Sequence, residues 1–212
     1  MNITERTYRL TGISPLLGSQ PADKEIRKNY IASKHPNADA ENELLPEENL
    51  GGVTVFLRDE GSVCLMAYVI NGYLKEAIAA MGIENGVKMP ASKVDKYVFN
   101  LNVCGQNHSG LEVLKLIRDG EPISAPDRTL ERPLRAMTMQ GPRIALSSSE
   151  LVDLPWQIDV KITLLENAAT KQSKALTWDV IEDALKYGRL RGIGQWRNGG
   201  YGRFTFERTD GR

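Results

Sequence analysis

Residues 190–206 combine the residue types that could bind phosphate groups through the backbone. Five glycines fall within eleven residues of this segment: Gly192, Gly194, Gly199, Gly200 and Gly202. Glycine allows a backbone to take unusual dihedral angles or to approach a ligand closely. Backbone N–H groups presented in this way can bind an anion. A tight connection between a helix and a strand would need the same glycines, so both interpretations stay open at this point.

The side chains of the same region are basic and aromatic. From Lys186 to Arg212 seven basic residues stand against two acids, although the whole chain of 212 residues has a formal net charge of zero. Aromatic residues are interleaved with these arginines at Trp196, Tyr201, Phe204 and Phe206. Surfaces for single-stranded nucleic acid use cations for the phosphates and rings for the bases. The segment is therefore a candidate surface for single-stranded nucleic acid, and Trp196 is expected to be exposed.

Two nucleotide-binding motifs do not fit the segment. It contains no Gly-Lys-Ser/Thr sequence, so it is not a phosphate-binding loop of the nucleotide hydrolases. It also follows a predicted helix over 177–188 and precedes a predicted strand over 204–206, which is the reverse of the order in a dinucleotide-binding fold.

Residues that could cleave RNA are few. Tyr30, Lys34 and His35 have the types needed for acid–base work on a 2′-hydroxyl and a leaving oxygen. His35 is, however, followed by a loop at 37–48 that carries five carboxylates and no basic residue, and such a loop repels phosphate. With two histidines and no cysteine cluster in the chain, we expect neither a zinc site nor any other cofactor.

The elements that must position these residues follow from the apolar pattern, which predicts an α+β fold in a single domain over 1–212. A strand that runs into a loop is predicted at 4–17, and further strands are predicted at 53–57, 63–68, 94–103, 143–147, 156–165 and 204–206. Helices are predicted at 23–33, 71–82 and 177–188, with Asn71 and Thr177 as the N-caps of the last two. Trp156 is expected to be a core residue of its strand. The segment 105–140 is interrupted by prolines and has one helix-like patch at 111–117, so it is predicted to be an irregular insertion. Cys64 and Cys104 are expected to be buried free thiols of a cytoplasmic protein. No apolar run is long enough to predict a membrane-spanning helix.

The glycine-rich segment resembles the corresponding loop of the RAMP superfamily, the RNA-binding proteins of CRISPR systems. Gly192-Ile193-Gly194, Arg197 and Gly200-Tyr201-Gly202 match that loop in order and spacing. The stretch 10–19 resembles the first strand of the family's backbone subunits, which runs into a glycine-containing loop. The stretch 70–77 resembles a turn, a lysine (here Lys75) and the start of a helix, although the proline and paired serines of that turn are missing.

The resemblance implies a ferredoxin-like or RRM-like core, in which an antiparallel sheet has helices on one face. It also implies that 105–140 is a thumb that kinks bound RNA. The implied function is a subunit of a CRISPR-effector-like ribonucleoprotein in antiviral defence that binds single-stranded RNA, or DNA. The residues expected to contact nucleic acid are Lys75, Arg189, Arg191, Gly192, Gly194, Trp196, Arg197, Gly199, Gly200, Tyr201, Gly202 and Arg203.

Two other functions stay open. Some members of the family cleave RNA with an aspartate after the first strand, for which Asp23 is the candidate, and others use an early histidine, for which His35 is the candidate. Asp23 could equally cap a helix that begins at Lys24. The chain could also be an inhibitor or decoy that keeps the fold and binds a protein or a small nucleotide. We expect binding without cleavage.

Two further expectations concern assembly and the glycines. The acidic loop at 37–48 and the basic C-terminal part are opposite in charge, which favours head-to-tail self-association along RNA, or association with other effector subunits. A Cβ at Gly200 or Gly202 would block the backbone conformation or the approach of phosphate, so both glycines are expected to be needed for binding while the fold stays cooperative.

Overall fold

A computed structural model describes residues 2–23, 53–84, 86–102, 110–138 and 141–210. Residues 24–33 of the helix predicted at 23–33 lie outside the described residues, as do His35, the acidic loop at 37–48 and Cys104. The strands are β1 (Ile3–Gly12), β2 (Leu16–Leu17), β3 (Gln20–Pro21), β4 (Val53–Val55), β5 (Leu57–Asp59), β6 (Ser62–Met66), β7 (Ile83–Glu84), β8 (Val87–Lys88), β9 (Val98–Asn102), β10 (Val113–Lys115), β11 (Ile117–Arg118), β12 (Glu121–Pro122), β13 (Arg128–Thr138), β14 (Gly141–Val152), β15 (Gln157–Leu165) and β16 (Phe204–Arg208). The helices are α1 (Tyr68–Ala80), α2 (Val94–Tyr97) and α3 (Trp178–Lys186), with 3₁₀ turns at Ala91–Lys93, Tyr187–Arg189 and Arg197–Gly199.

The core sheet has the topology of a ferredoxin-like fold. Strand β1 lies between β15 and β16, and β9 pairs with the other side of β15; all of these pairs are antiparallel. Along the chain, α1 lies between β1 and β9, and α3 lies between β15 and β16. This is the β-α-β-β-α-β order of ferredoxin-like folds. The predicted α+β class with an antiparallel sheet is therefore confirmed.

One face of the core sheet packs against both helices. Residues in β15 alternate strictly between buried and partly exposed positions, as the sequence pattern predicted. The buried positions of β1 and β15 share one apolar cluster with the buried faces of α1 and α3. Within this cluster the Tyr73 hydroxyl of α1 donates to the Ala184 carbonyl of α3 at 2.6 Å. The helices therefore lie on one side of the sheet.

The ends of the helices agree partly with the sequence pattern. Thr177 caps α3 as predicted, since its side chain accepts a hydrogen bond from the Val180 N–H. Gly82, with φ of +71°, follows the end of α1. That helix begins at Tyr68, three residues before the predicted N-cap Asn71, because the apolar pattern already starts at Val69 and Ile70. The predicted strand at 94–103 begins with the single turn α2.

The described part of the segment 105–140 is built from strands, which differs from the irregular conformation expected. Strand β10 pairs with β6, and β11 pairs with β15. The predicted helical patch at 111–117 is wrong because Val113–Lys115 pairs with β6 and Ile117 pairs with β15, and pairing partners far along the chain override a weak local preference. Strand β13 pairs with β14 along its whole length. Pro133 is tolerated there because β13 is an edge strand and needs no ladder hydrogen bond from that residue.

A second sheet is formed by β13, β14, β4 and β3, with β2 also paired to β14. The chain passes from the core sheet into this second sheet between β1 and β2, and it passes from the second sheet into the core sheet between β14 and β15. The segment 12–18, which includes the connection from β1 to β2 and β2 itself, lies at the junction of the two sheets.

Trp156 fixes this junction from the core side. Its side chain is fully buried, and its Nε1–H donates to the Ser14 carbonyl at 2.8 Å. The Gly12 N–H in turn donates to the Trp156 carbonyl at 2.8 Å. A Cβ on Gly12 would overlap with the indole ring. The expected core position of Trp156 is therefore confirmed.

The expected burial of Cys64 is also confirmed. Its thiol is free and buried, and burial raises the pKa of the thiol to about 12. In the described part of the chain, no helix is both long enough and apolar enough to cross a bilayer.

We expect a Gly12→Ala variant to be destabilised by about 2–3 kcal/mol, because the new Cβ collides with the Trp156 ring in a closely packed core. The matched control is Gly72→Ala at an exposed position within α1, where a Cβ meets no atom within 4 Å. Alanine favours a helix over glycine, so the control should gain up to about 1 kcal/mol. Urea unfolding of both variants measures the difference, and equal effects would contradict the packing described here.

Candidate nucleic-acid interface

The glycine loop, defined as residues 192–202, is closed by backbone contacts with the segment 12–18. The Gly202 N–H donates to the Pro15 carbonyl at 2.8 Å, and the Ile193 N–H donates to the Gly202 carbonyl at 3.0 Å. Directly after the loop, the Arg203 N–H donates to Ser14 Oγ at 2.8 Å. The C-terminal loop is thereby held against the connection that follows the first strand.

Three glycines of the loop are required by this closure. A Cβ on Gly192 would overlap with the backbone of Gly202, and a Cβ on Gly202 would overlap with the Ile193 carbonyl. A Cβ on Gly194 would lie 2.8 Å from the Leu17 carbonyl oxygen. Gly202 is expected from the sequence to be needed for binding and not for folding. This packing disagrees, because the loop cannot close with a Cβ at Gly202.

Gly199 and Gly200 have different surroundings. A Cβ on Gly199 would lie 2.7 Å from the indole of Trp196, so this glycine lets the ring pack against the backbone. Gly200 has φ of +86°, and its nearest neighbour would be Arg203 Nη2 at 3.4 Å. Gly200 is therefore required by its backbone conformation and has room for a small side chain.

Trp196 takes a backbone conformation that is rare for its type. Its φ of 49° and ψ of 43° place it in the left-handed region, where a bulky side chain is strained. The side chain is 40% exposed, as expected from the sequence. Its ring stacks on that of Tyr201, with centroids 5.1 Å apart and an interplanar angle of 18°. Strain of this kind is concentrated at ligand-binding sites.

Arg132, in strand β13 of the second sheet, packs against the ring of Trp196. Its guanidinium carbon lies 4.5 Å from the centre of the Trp196 ring, a distance at which a cation and a ring attract each other. The residue is only 7% exposed, and Nε and Nη1 are buried without a hydrogen-bond partner. Burial lowers the pKa of Arg132 from its usual range, and nearby Tyr201 acts in the opposite direction.

The sequence analysis did not select Arg132, because its position next to the loop depends on the register of β13. The available signal was weak: Arg132 belongs to a second basic stretch, which also includes Arg128, Arg135 and Arg143.

Gln195 ties the loop to the same sheet. Its Oε1 lies 2.6 Å from Thr54 Oγ1 and 2.9 Å from Ser149 Oγ. Ser149 lies directly opposite Leu130 in the β13–β14 ladder and beside Thr54 of β4. The glycine loop thus contacts both sheets, and Trp196 lies where they meet.

Two arginines of the site share one carboxylate on α1. Arg191 Nε lies 2.6 Å from Glu76 Oε1, and Arg197 Nη1 forms an ion pair with the other oxygen, Glu76 Oε2. Arg203 folds back to donate to the Gly200 carbonyl at 3.1 Å. The structure therefore places Arg191, Arg197 and Arg203 in or directly beside the glycine loop, and Glu76 neutralises one of their charges.

Lys75 and Arg189 are also expected from the sequence to contact nucleic acid, but neither pairs with Glu76 as Arg191 and Arg197 do. Lys75 is next to Glu76 on α1, but adjacent helical residues point in different directions, and its Nζ pairs with Asp95 Oδ2 at 2.7 Å. Arg189 is exposed in the 3₁₀ turn before the loop.

The catalytic candidates are not brought together among the described residues. Asp23 is half-buried and follows β3, whereas His35 lies outside the described residues. Over the same described ranges, no group of three or more His, Cys, Asp or Glu side chains could hold a metal ion.

Comparisons with known proteins add little to this geometry. No family model matches the sequence, and no curated protein matches it. Among solved structures, the chain is similar to a chain of the structure described as "Cryo-EM structure of the Type III-B Cmr-beta bound to cognate target RNA". The TM-score is 0.37 at 10% sequence identity, and the match covers 97% of this chain and 59% of that chain.

We expect Gly202→Ala to cost at least about 3 kcal/mol of unfolding free energy, because its Cβ overlaps a carbonyl that closes the loop. Gly200→Ala should cost only about 1–2 kcal/mol, the penalty of a left-handed conformation for alanine. Urea unfolding monitored by circular dichroism gives both values. If the two variants lose the same stability, the difference between the two glycine positions is wrong.

Proposed function

We propose that the protein binds single-stranded RNA at the glycine loop, as a subunit of a CRISPR-effector-like ribonucleoprotein. The observation that carries the proposal is the arrangement at Trp196. The exposed ring of Trp196 stacks on Tyr201 and lies against Arg132 of the second sheet, and the residue has a strained backbone conformation in the loop that also carries Arg197. Rings beside cations are what unpaired bases and their phosphates need.

The chemistry of the loop supports a polyanionic ligand. Arg191 and Arg197 share the single negative charge of Glu76, so a phosphate that approaches either guanidinium finds a cation that is only partly neutralised. Guanidinium groups bind phosphate through two parallel N–H groups. Binding of RNA would then replace part of the contact with Glu76 by contacts with phosphates.

The fold and the sequence motif support the same proposal. The sheet has ferredoxin-like topology, and the loop that resembles the RAMP glycine-rich loop enters its edge strand β16. We propose that the hairpin of β13 and β14 serves as the thumb, since it contributes Arg132 to the site. Cytoplasmic location and assembly with other subunits or further copies along RNA belong to the same proposal.

The test is titration of a labelled single-stranded RNA at several salt concentrations. If about four phosphates are neutralised, the logarithm of the binding constant should fall linearly with the logarithm of the salt concentration, with a slope of about −3. Arg197→Ala should weaken binding and reduce the slope by about 0.7, whereas Arg208→Ala should change little because Arg208 pairs with Asp210 at the far end of β16. Absence of binding at low salt, or binding without salt dependence, would remove the proposal.

The same titration with DNA of identical sequence tests the choice of RNA, which requires contacts to the 2′-hydroxyl. Equal affinity for the two oligonucleotides would leave a single-strand-binding protein without preference for RNA. A protein that binds neither would favour the inhibitor or decoy function.

Glu76→Gln tests the competition for the loop arginines. The substitution keeps the shape of the side chain and removes the charge that Arg191 and Arg197 share. We expect tighter RNA binding and a steeper salt slope, because one more positive charge is available to phosphates. The control is Asp95→Asn, which releases Lys75 instead and should alter binding less. Weaker binding by Glu76→Gln with an intact fold would show that Glu76 positions the arginines rather than competing with RNA.

A further inference from the structure

Arg132 is the buried charge that the rest of the described structure leaves unexplained. It is 93% buried, by its exposure of 7%, and two of its nitrogen atoms, Nε and Nη1, have no hydrogen-bond partner. Buried polar groups in native proteins are nearly always hydrogen-bonded, and an exception calls for a ligand, a strain or a function. No carboxylate among the described residues forms an ion pair with Arg132.

Other arginines of the second sheet and its neighbours show how this chain normally satisfies such a group. Arg118 bonds to Asp127 through Nη1 and Nη2 and to the Pro155 carbonyl through Nε. Arg58 bonds to Glu150, and Arg128 bonds to Asp153 through two nitrogens. Arg132 has in their place the face of an aromatic ring, which compensates only part of the lost hydration of a guanidinium.

That ring belongs to Trp196, the residue with the strained backbone. Gly199 and Gly200 follow it within four residues, and Gly200 has no atom closer than 3.4 Å to the place of a Cβ, so the part of the loop that follows Trp196 can change its conformation with little steric opposition. The indole is also 40% exposed to solvent. In the free protein, Trp196 therefore has a strained backbone, and Arg132 is buried with two nitrogens that lack hydrogen bonds.

We propose that Arg132 is a phosphate-binding residue that the Trp196 ring covers in the free protein. When the indole shifts to stack on a base, the Nε and Nη1 groups of Arg132 become accessible and donate to the oxygens of an adjacent phosphate. This inference rests on the proposed function and deepens it. The ligand class is a phosphate group with two free oxygens, which matches the geometry of a guanidinium fork.

The proposal predicts effects of opposite sign on stability and on binding for one substitution. Arg132→Met keeps an unbranched side chain and removes the unsatisfied charge, so the free protein should unfold at the same or a higher temperature. The matched control Arg118→Met removes a satisfied guanidinium and should lower the unfolding temperature. For RNA, Arg132→Met should weaken binding about tenfold and reduce the salt slope by about 0.7. Arg208→Met removes an exposed, paired charge and should change neither property by as much.

The outcomes separate this inference from the proposed function. If wild-type protein binds RNA and Arg132→Met binds with the affinity and slope of Arg208→Met, Arg132 is not a phosphate ligand, while the proposed function stands. A marked loss of stability in Arg132→Met would show that the guanidinium is satisfied in the protein and would also overturn the inference.

Inorganic phosphate is the second probe and tests the site without RNA. If the wild type binds no oligonucleotide, the proposed function fails, and the inference is then decided by thermal unfolding with added phosphate. A rise of the unfolding temperature in the wild type that is absent in Arg132→Met would support a site for free phosphate. Equal behaviour of the two proteins would reject a phosphate site at Arg132.

Discussion

The position of the glycine loop depends on backbone contacts that join the two ends of the described chain. Gly202 donates to Pro15 near the N-terminus and accepts from Ile193 across the loop, and the facing positions Gly192 and Gly202 have no room for a Cβ. The same residues lead directly into β16, whose register on β1 is set by the pairs from Gly12–Phe204 to Tyr8–Arg208. A loop with five glycines would be disordered in isolation, but this one is held by the hydrogen bonds that also hold the edge of the core sheet.

This closure has consequences for the side chains that the loop presents. Trp196 takes left-handed dihedral angles within the closed loop, and its ring is held by Tyr201, by the space at Gly199 and by Arg132. The strained Trp196 lies directly against the unsatisfied buried charge of Arg132, and both features lower the stability of the folded protein. Local departures of this kind from an otherwise consistent fold occur at functional sites, which is why we place the proposed interface here.

Elements with a clear local pattern of apolar residues or a local cap could be predicted from the sequence. The alternation of apolar residues predicted β15 correctly, because burial on one face decides it. The cap at Thr177 predicted the start of α3 correctly, because a local hydrogen bond decides it. Strands β10, β11 and β13 were missed because their conformation depends on partners far along the chain. Leu114 and Ile117 fit a helical spacing as well as two short strands, and Pro133 in β13 argued against a strand that only its edge position permits.

The candidate site shows the same limit for electrostatics. Summation of charge along the sequence selected the C-terminal arginines, but the structure pairs Arg191 and Arg197 with one carboxylate and Arg208 with Asp210. Among the described residues, the buried cation without hydrogen bonds at two of its nitrogens is Arg132, which lies about sixty positions before the loop and reaches it through the pairing of β13 with β14. An arginine that is already paired offers a phosphate only the difference between two contacts, whereas an unpaired guanidinium offers the whole of one. The strength of a nucleic-acid surface is therefore set by which charges the fold leaves without a partner, and the number of basic residues in a segment is a poor measure of it.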